Sequence, residues 1–191
     1  MNEASKIIIV EGAKNVGKTY LMETSGIPSY KFPFAGYFNT FLKDNTDSMG
    51  TGDKTTYHFT TSFDVTIMSM AKQGLIWGPR LLVDRGFLSN IVLGVVQKRI
   101  TDEDAYAYMD FLRREGYIGS NVRVLYIKRG NSPGGRDMPK DQWEYLTYED
   151  VHNKYLLYIE YLREKFSFDV EIFENTFDGE AVVKFAELCL K

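Results

Sequence analysis

The chain opens with an almost unbroken apolar run. Lys6 to Glu11, KIIIVE, is β-branched and does not alternate, the pattern of a strand buried on both faces of a parallel sheet. Similar runs recur at Arg80 to Arg85 (RLLVDR), Asn121 to Arg129 (NVRVLYIKR) and Phe168 to Glu174 (FDVEIFE). Ser29 to Phe34, SYKFPF, reads as a short second strand with Pro33 near its end.

Between these runs the apolar spacing changes to the helical period. Thr19 to Thr24 predicts a first helix, ended by Ser25-Gly26-Ile27-Pro28. Ala35 to Asn45 predicts a short helix, and Asp44 to Lys54 a polar loop. Tyr57 to Gln73 places Phe59, Phe63, Ile67 and Met70 on one stripe, with Met68 and Ala71 alongside. Phe87 to Gln97 predicts another helix. Thr101 and Asp104 form a capping box for a helix running to about Arg114. Tyr148 to Lys165 carries Val151, Tyr155, Tyr158 and Leu162 on one face, and Gly179 to Leu190 closes the chain. Strands alternating with helices predict a parallel α/β sheet of about five strands, covered on both faces and joined by right-handed crossovers.

Composition narrows the class. The 191 residues suit one domain, 1–191, and no linker divides them. The net charge of −3 disfavours extensive duplex binding but leaves room for a local basic groove. The single cysteine, Cys189, has no internal disulfide partner, which points to a reducing compartment and a small apolar role on the terminal helix. No apolar run approaches the roughly 18 residues of a membrane span. A cytoplasmic protein without a membrane partner is therefore expected. His58 and His152 lack partners at metal spacing and read as structural. Trp77 and Trp143 read as packing under loops. Phe34, Tyr37 and Phe63 could sandwich a base.

The chemistry begins where the first strand ends. Gly12 to Thr19, GAKNVGKT, fits G-x-x-x-x-G-K-[ST]. The glycines let successive backbone N–H groups turn inward around phosphate oxygens, and a helix start favours negative charge. Gly12, Ala13, Lys14, Asn15, Val16, Gly17, Lys18, Thr19 and the following Tyr20 are thus the candidate nucleotide cradle. Lys18 would reach the β- and γ-phosphates, and Thr19 would bind Mg²⁺. Asp84 and Arg85 lie at the exit of a buried strand, where ligands of open α/β sheets bind. Asp84 could hold Mg²⁺ or accept a proton from an attacking hydroxyl, and Arg85 could clamp an acceptor phosphate. Gly130 to Gln142, rich in glycine, proline and charge, predicts a lid over the site. Arg136 or Arg129 would bring positive charge to the transferring group.

In chain order these segments resemble the thymidylate kinases, within the wider P-loop nucleoside and nucleotide kinases. IIIVEGAKNVGKT resembles their first strand and P-loop, and YKFPF their Phe-Pro segment. LLVDRGFLSN is similar to their Asp-Arg segment, with Ser89 in the place of its serine. RGNSPGGRD lies where their lid lies, and FENTFDGEAV resembles the segment near adenine. The resemblance implies a three-layer P-loop kinase fold with a lid, and ATP and Mg²⁺ as cofactors. Three departures fall on the acceptor side. Lys14 stands where these kinases usually carry an acidic residue, Phe63 where they carry an arginine, and Gly86 follows Asp84-Arg85 in place of tyrosine.

The expectation is an ATP- and Mg²⁺-dependent phosphotransferase with a deoxynucleotide-type acceptor. Lys14 attracts phosphate and only donates hydrogen bonds, so an anionic acceptor is expected. A hydroxymethylated pyrimidine within the DNA of a modified viral genome and a deoxynucleoside are the alternative acceptors. A nucleotide-binding regulator without transfer activity is a third reading, although no base-reading N-K-x-D is present. The oligomeric state stays open, with a homodimer among the options.

Overall fold

A computed structural model describes residues 7–31, 64–73, 80–130, 147–168 and 170–191. The strands are β1 (Ile7–Glu11), β2 (Ser29–Lys31), β3 (Leu81–Asp84), β4 (Val122–Arg129) and β5 (Val170–Asn175). They form one sheet in the order β2-β3-β1-β4-β5. Every pairing is parallel. β1 lies at the centre and every residue of it is buried, as its apolar sequence requires. The register sets Val10 beside Asp84, Glu11 beside Tyr126 and Arg129 beside Asn175. The carboxyl edge of the sheet therefore gathers Glu11, Asp84, Arg129 and Asn175 along one line.

The helices are α1 (Lys18–Thr24), α2 (64–72), α3 (Phe87–Val96), α4 (Asp102–Arg114), α5 (Tyr148–Phe166) and α6 (Gly179–Leu190). α1 packs with α6, and α3 packs with α4 and α5, so the sheet lies between two helical layers. The core is built from β1, β4 and the inward stripes of these helices, including Leu21, Phe87, Ile91, Met109, Tyr155 and Phe185. The α5 stripe of Val151, Tyr155, Tyr158 and Leu162 is buried as its spacing predicts. The Thr101–Asp104 capping box is present. A second box, Thr147 with Asp150, starts α5.

One predicted stripe is rotated. In α2, Met70 is 41% exposed while Met68 and Ala71 are buried. The inward face is Asp64, Met68 and Ala71, at i, i+4 and i+7. A carboxyl group can occupy this face because the Asn90 side chain donates to Asp64 Oδ2 at 2.5 Å. The elements expected between residues 35 and 63, and the Gly130–Gln142 segment beyond Gly130, lie outside the described residues. Among the described residues no helix is long and apolar enough to cross a membrane.

Candidate active site

Residues 12–17 turn the chain from the end of β1 into α1. Gly12 adopts φ 146°, and a Cβ there would sit 2.5 Å from the Ile127 carbonyl oxygen. Only glycine lets the loop pass so close to β4. Asn15 (φ 63°) and Gly17 (φ 83°) are both left-handed. Gly17 is the N-cap of α1, which has no side-chain cap and no acidic residue in its first turn. The amides at that end thus have no carboxylate of their own.

Lys18 is buried, 6% exposed. Its Nζ donates back to the carbonyls of Gly12 at 3.0 Å and Ala13 at 2.8 Å. Ala13 and Val16 are buried, Lys14, Asn15 and Thr19 are half-buried, and Tyr20 is exposed. The Thr19 hydroxyl donates to Asp84 Oδ2 at 3.4 Å, which joins α1 to the end of β3. The other Asp84 oxygen, Oδ1, is buried and has no hydrogen-bond partner among the described residues. A hydroxyl beside a carboxylate with an open buried oxygen is a donor set that suits Mg²⁺. Among the described residues no group of three or more His, Cys, Asp or Glu side chains could hold a metal. An ion at Thr19 and Asp84 would take its other ligands from phosphate and water, as Mg²⁺ commonly does.

Arg85 turns out of β3 with φ 70°. Its Nη1 donates to the Gly12 carbonyl at 3.0 Å and to Ser89 Oγ at 3.3 Å. It therefore braces the phosphate loop against α3. Arg129 ends β4, and its backbone N–H donates to the Tyr148 hydroxyl at 3.0 Å. Arg136 lies outside the described residues, as do Phe34, Tyr37, Phe63, His58 and both tryptophans. His152 is half-buried between the rings of Tyr126 and Tyr148, and its Nδ1 lies 2.5 Å from the Tyr126 hydroxyl. Burial and the nearby Lys128 hold its pKa below the usual histidine value. The Cys189 thiol is buried and pushed up to about 11 by desolvation.

Several residues of the site went unread in the sequence. Glu11 is completely buried. Its carboxylate accepts from the backbone N–H groups of Gly86 (3.0 Å), Leu88 (3.1 Å) and Ser89 (3.1 Å), and from the Ser89 hydroxyl. It caps α3 from across the sheet. Burial raises its pKa, against the lowering pull of Ser89, Arg85 and Lys18. The signal was a lone charge closing an apolar strand, because buried charges need partners. Asn175 is also buried; its Nδ2 donates to the Val16 carbonyl at 2.9 Å and its Oδ1 accepts from Phe177 N–H at 3.0 Å. It fixes the far side of the loop. Tyr155 was readable only as core, yet its hydroxyl lies 2.7 Å from Ser89 Oγ.

No family model and no curated protein sequence matches the chain. Solved structures do match. A thymidylate kinase from Ehrlichia chaffeensis superposes with a TM-score of 0.57 at 14% identity, over 98% of this chain and 97% of that one. A thymidylate kinase from Candida albicans gives 0.60 at 13% identity, over 97% and 91%. NadR, in its complex with NR, gives 0.61 at 14% identity over 96% of this chain. The chain spans only half the length of NadR. With the sheet order and phosphate-loop geometry above, these likenesses establish that the chain has the thymidylate kinase-like P-loop kinase fold.

Proposed function

We propose that the protein is an ATP- and Mg²⁺-dependent phosphotransferase that passes the γ-phosphoryl group to an anionic deoxynucleotide-type acceptor. The observation that carries this reading is the junction of Lys18, Thr19 and Asp84 at the carboxyl edge of the sheet, with one buried Asp84 oxygen open. Lys18 is held at the loop by its own carbonyls and supplies the charge for the phosphates. Thr19 and Asp84 would hold Mg²⁺, which when bound offsets charge on the phosphate oxygens. Glu11 and Arg85 keep the loop and α3 in fixed register, so catalysis rests on positioning and electrostatics.

Lys14 supports the anionic acceptor: it is half-buried on a loop whose neighbours Ala13 and Val16 point inward. The test is transfer of label from ATP to a panel of deoxynucleoside monophosphates, deoxynucleosides, and plain or hydroxymethylated DNA. A monophosphate is expected to be the best acceptor, and Lys14→Asp to weaken it while sparing ATP. Labelling of hydroxymethylated DNA alone would move the reading to a DNA-modifying kinase. A neutral nucleoside as best acceptor would overturn the anionic assignment. ATP binding without transfer to any acceptor would leave a nucleotide-binding regulator.

A further inference from the structure

Asn175 ends β5, is buried, and joins three separate pieces of chain. Its Nδ2 donates to the Val16 carbonyl at 2.9 Å, and its Oδ1 accepts from the Phe177 N–H at 3.0 Å. Its backbone carbonyl accepts from the Gly130 N–H at 2.9 Å. A Cβ at Gly130 would lie 2.7 Å from that carbonyl oxygen, so the chain leaving β4 closes tightly on the Asn175 backbone. A Cβ at Gly17 would overlap Asn175 Nδ2 and come within 3.2 Å of the Phe177 ring. The side-chain amide is therefore wedged against the start of α1, with its own backbone clamped behind it. Phe177 is left-handed at φ 62°, a costly conformation that the bond to Asn175 Oδ1 helps to hold.

In a trans peptide the C=O and N–H point to opposite sides, and no cis peptide occurs among the described residues. The Val16 carbonyl faces Asn175, so the Gly17 N–H faces the other way, away from β5. Gly17 is the N-cap of α1, where a free N–H favours an anion. We infer that Asn175 is a positioning residue for the nucleotide: by holding the Val16 carbonyl outward, it aims the Gly17 N–H at phosphate. An amide supplies both a donor toward Val16 and an acceptor toward Phe177. Aspartate has the same shape but, when ionised, only accepts. It would set an oxygen against the Val16 carbonyl and press the peptide to turn. Asn175 lies behind the loop and touches no substrate. The inference rests on the reading of residues 12–19 as a nucleotide site.

ATP affinity of the full chain, measured by calorimetry with Mg²⁺ across a pH series, tests it. Asn175→Asp should weaken ATP binding about tenfold at neutral pH, the order expected when a buried acceptor loses its donor. As pH falls and the new carboxyl takes up a proton, its O–H can donate to Val16 while its other oxygen accepts from Phe177. Affinity should then return toward that of the wild type measured alongside. Asn175→Ala should show a similar loss at neutral pH, with no recovery in acid. A purely structural Asn175 would lower the melting temperature of both variants and leave ATP affinity of the folded protein unchanged. That result overturns the inference, as does a loss in Asn175→Asp that acid does not reverse. If Asn175→Asp does not fold at neutral pH, Asn175→Ala decides, and ATP affinity equal to wild type there overturns it. A wild-type chain that binds no ATP removes the nucleotide reading itself, whereas normal wild-type binding with unaffected variants removes only the role of Asn175.

Discussion

The two edges of the sheet treat charge in opposite ways. At the amino edge, Arg80 before β3 donates to the Cys189 carbonyl, and Arg123 of β4 donates to the Leu188 carbonyl at 2.8 Å and pairs with Glu171. Both arginines close the end of α6, whose last turn has no basic residue of its own. Charge there is matched by the chain itself. At the carboxyl edge, Glu11, Lys18 and Asp84 are all buried. The backbone there is left-handed at Asn15, Arg85 and Phe177, a cost of about 1–3 kcal/mol at each such residue. Of the other non-glycine residues with positive φ, Lys98 and Ser167 simply follow the ends of helices. An Asp84 oxygen stays unpaired among the described residues. At the amino edge Arg80 and Arg123 find their partners within the chain. The carboxyl edge holds strain and a buried open acceptor, a departure from local consistency that supports the proposed site there.

The largest expected break in this contrast is Lys18→Ala. Turnover should fall by about 10³-fold or more, comparable to removing a preorganised electrostatic group. Thermal melting should fall only modestly, because Arg85 still serves the Gly12 carbonyl while the Ala13 carbonyl loses its lysine donor. Unchanged turnover in a folded variant would remove the catalytic meaning of the carboxyl edge.

Glu11→Ala should act chiefly on stability. It strands three backbone N–H groups and the Ser89 hydroxyl. Breaking a buried, hydrogen-bonded charge costs about 3–5 kcal/mol, readable by denaturant unfolding. Glu11→Gln, which keeps one carbonyl oxygen, should lose less. A loss under about 1 kcal/mol for the alanine variant would mean α3 does not depend on this cap.

Asp84→Asn sharpens the contrast from the other side. It keeps an acceptor for Thr19 but removes the charge at the open oxygen. Turnover should drop far more than ATP affinity, since the carboxylate works where charge develops. Equal losses in both would make Asp84 a binding residue only.

How much of this was legible in the sequence follows the same division. The strands were legible because continuous β-branched runs have few other uses. The phosphate loop was legible because its glycines and lysine keep fixed spacing. The Thr101 cap was legible because both of its members are local. Glu11, Asn175 and Tyr155 were not, because each acts through a partner more than 60 residues away. The α2 stripe was misread because an apolar pattern cannot anticipate that Asn90, on another helix, lets Asp64 turn inward.

Arg123→Met tests the amino edge alone. It removes a half-buried bond to the Leu188 carbonyl and a pairing with Glu171. A loss of about 1 kcal/mol is expected, with its apolar stem replaced. Turnover should be unchanged. A clear drop in turnover without one in stability would show that the two edges are coupled and the contrast is too simple.

The smallest effect is a pH slope from Asp64. Its carboxyl is buried against α3, and desolvation raises its pKa well above the usual value, with the charge of Glu11 adding to the rise and Asn90 opposing it. The folded chain therefore holds this proton more tightly than the unfolded chain does. Stability from this group is whole below the ordinary aspartate range and declines as pH rises from there through the folded value. Asp64→Asn keeps an oxygen for Asn90 and abolishes the titration. The variant should melt above the wild type at neutral pH, and the gap should close as pH falls toward the ordinary aspartate value. Glu11 gives a slope of the same sign but remains in both proteins, so the difference between the two melting curves isolates Asp64. Parallel curves across that range would mean that Asp64 is charged and solvated in solution, and that the buried acid of the carboxyl edge is confined to Glu11 and Asp84.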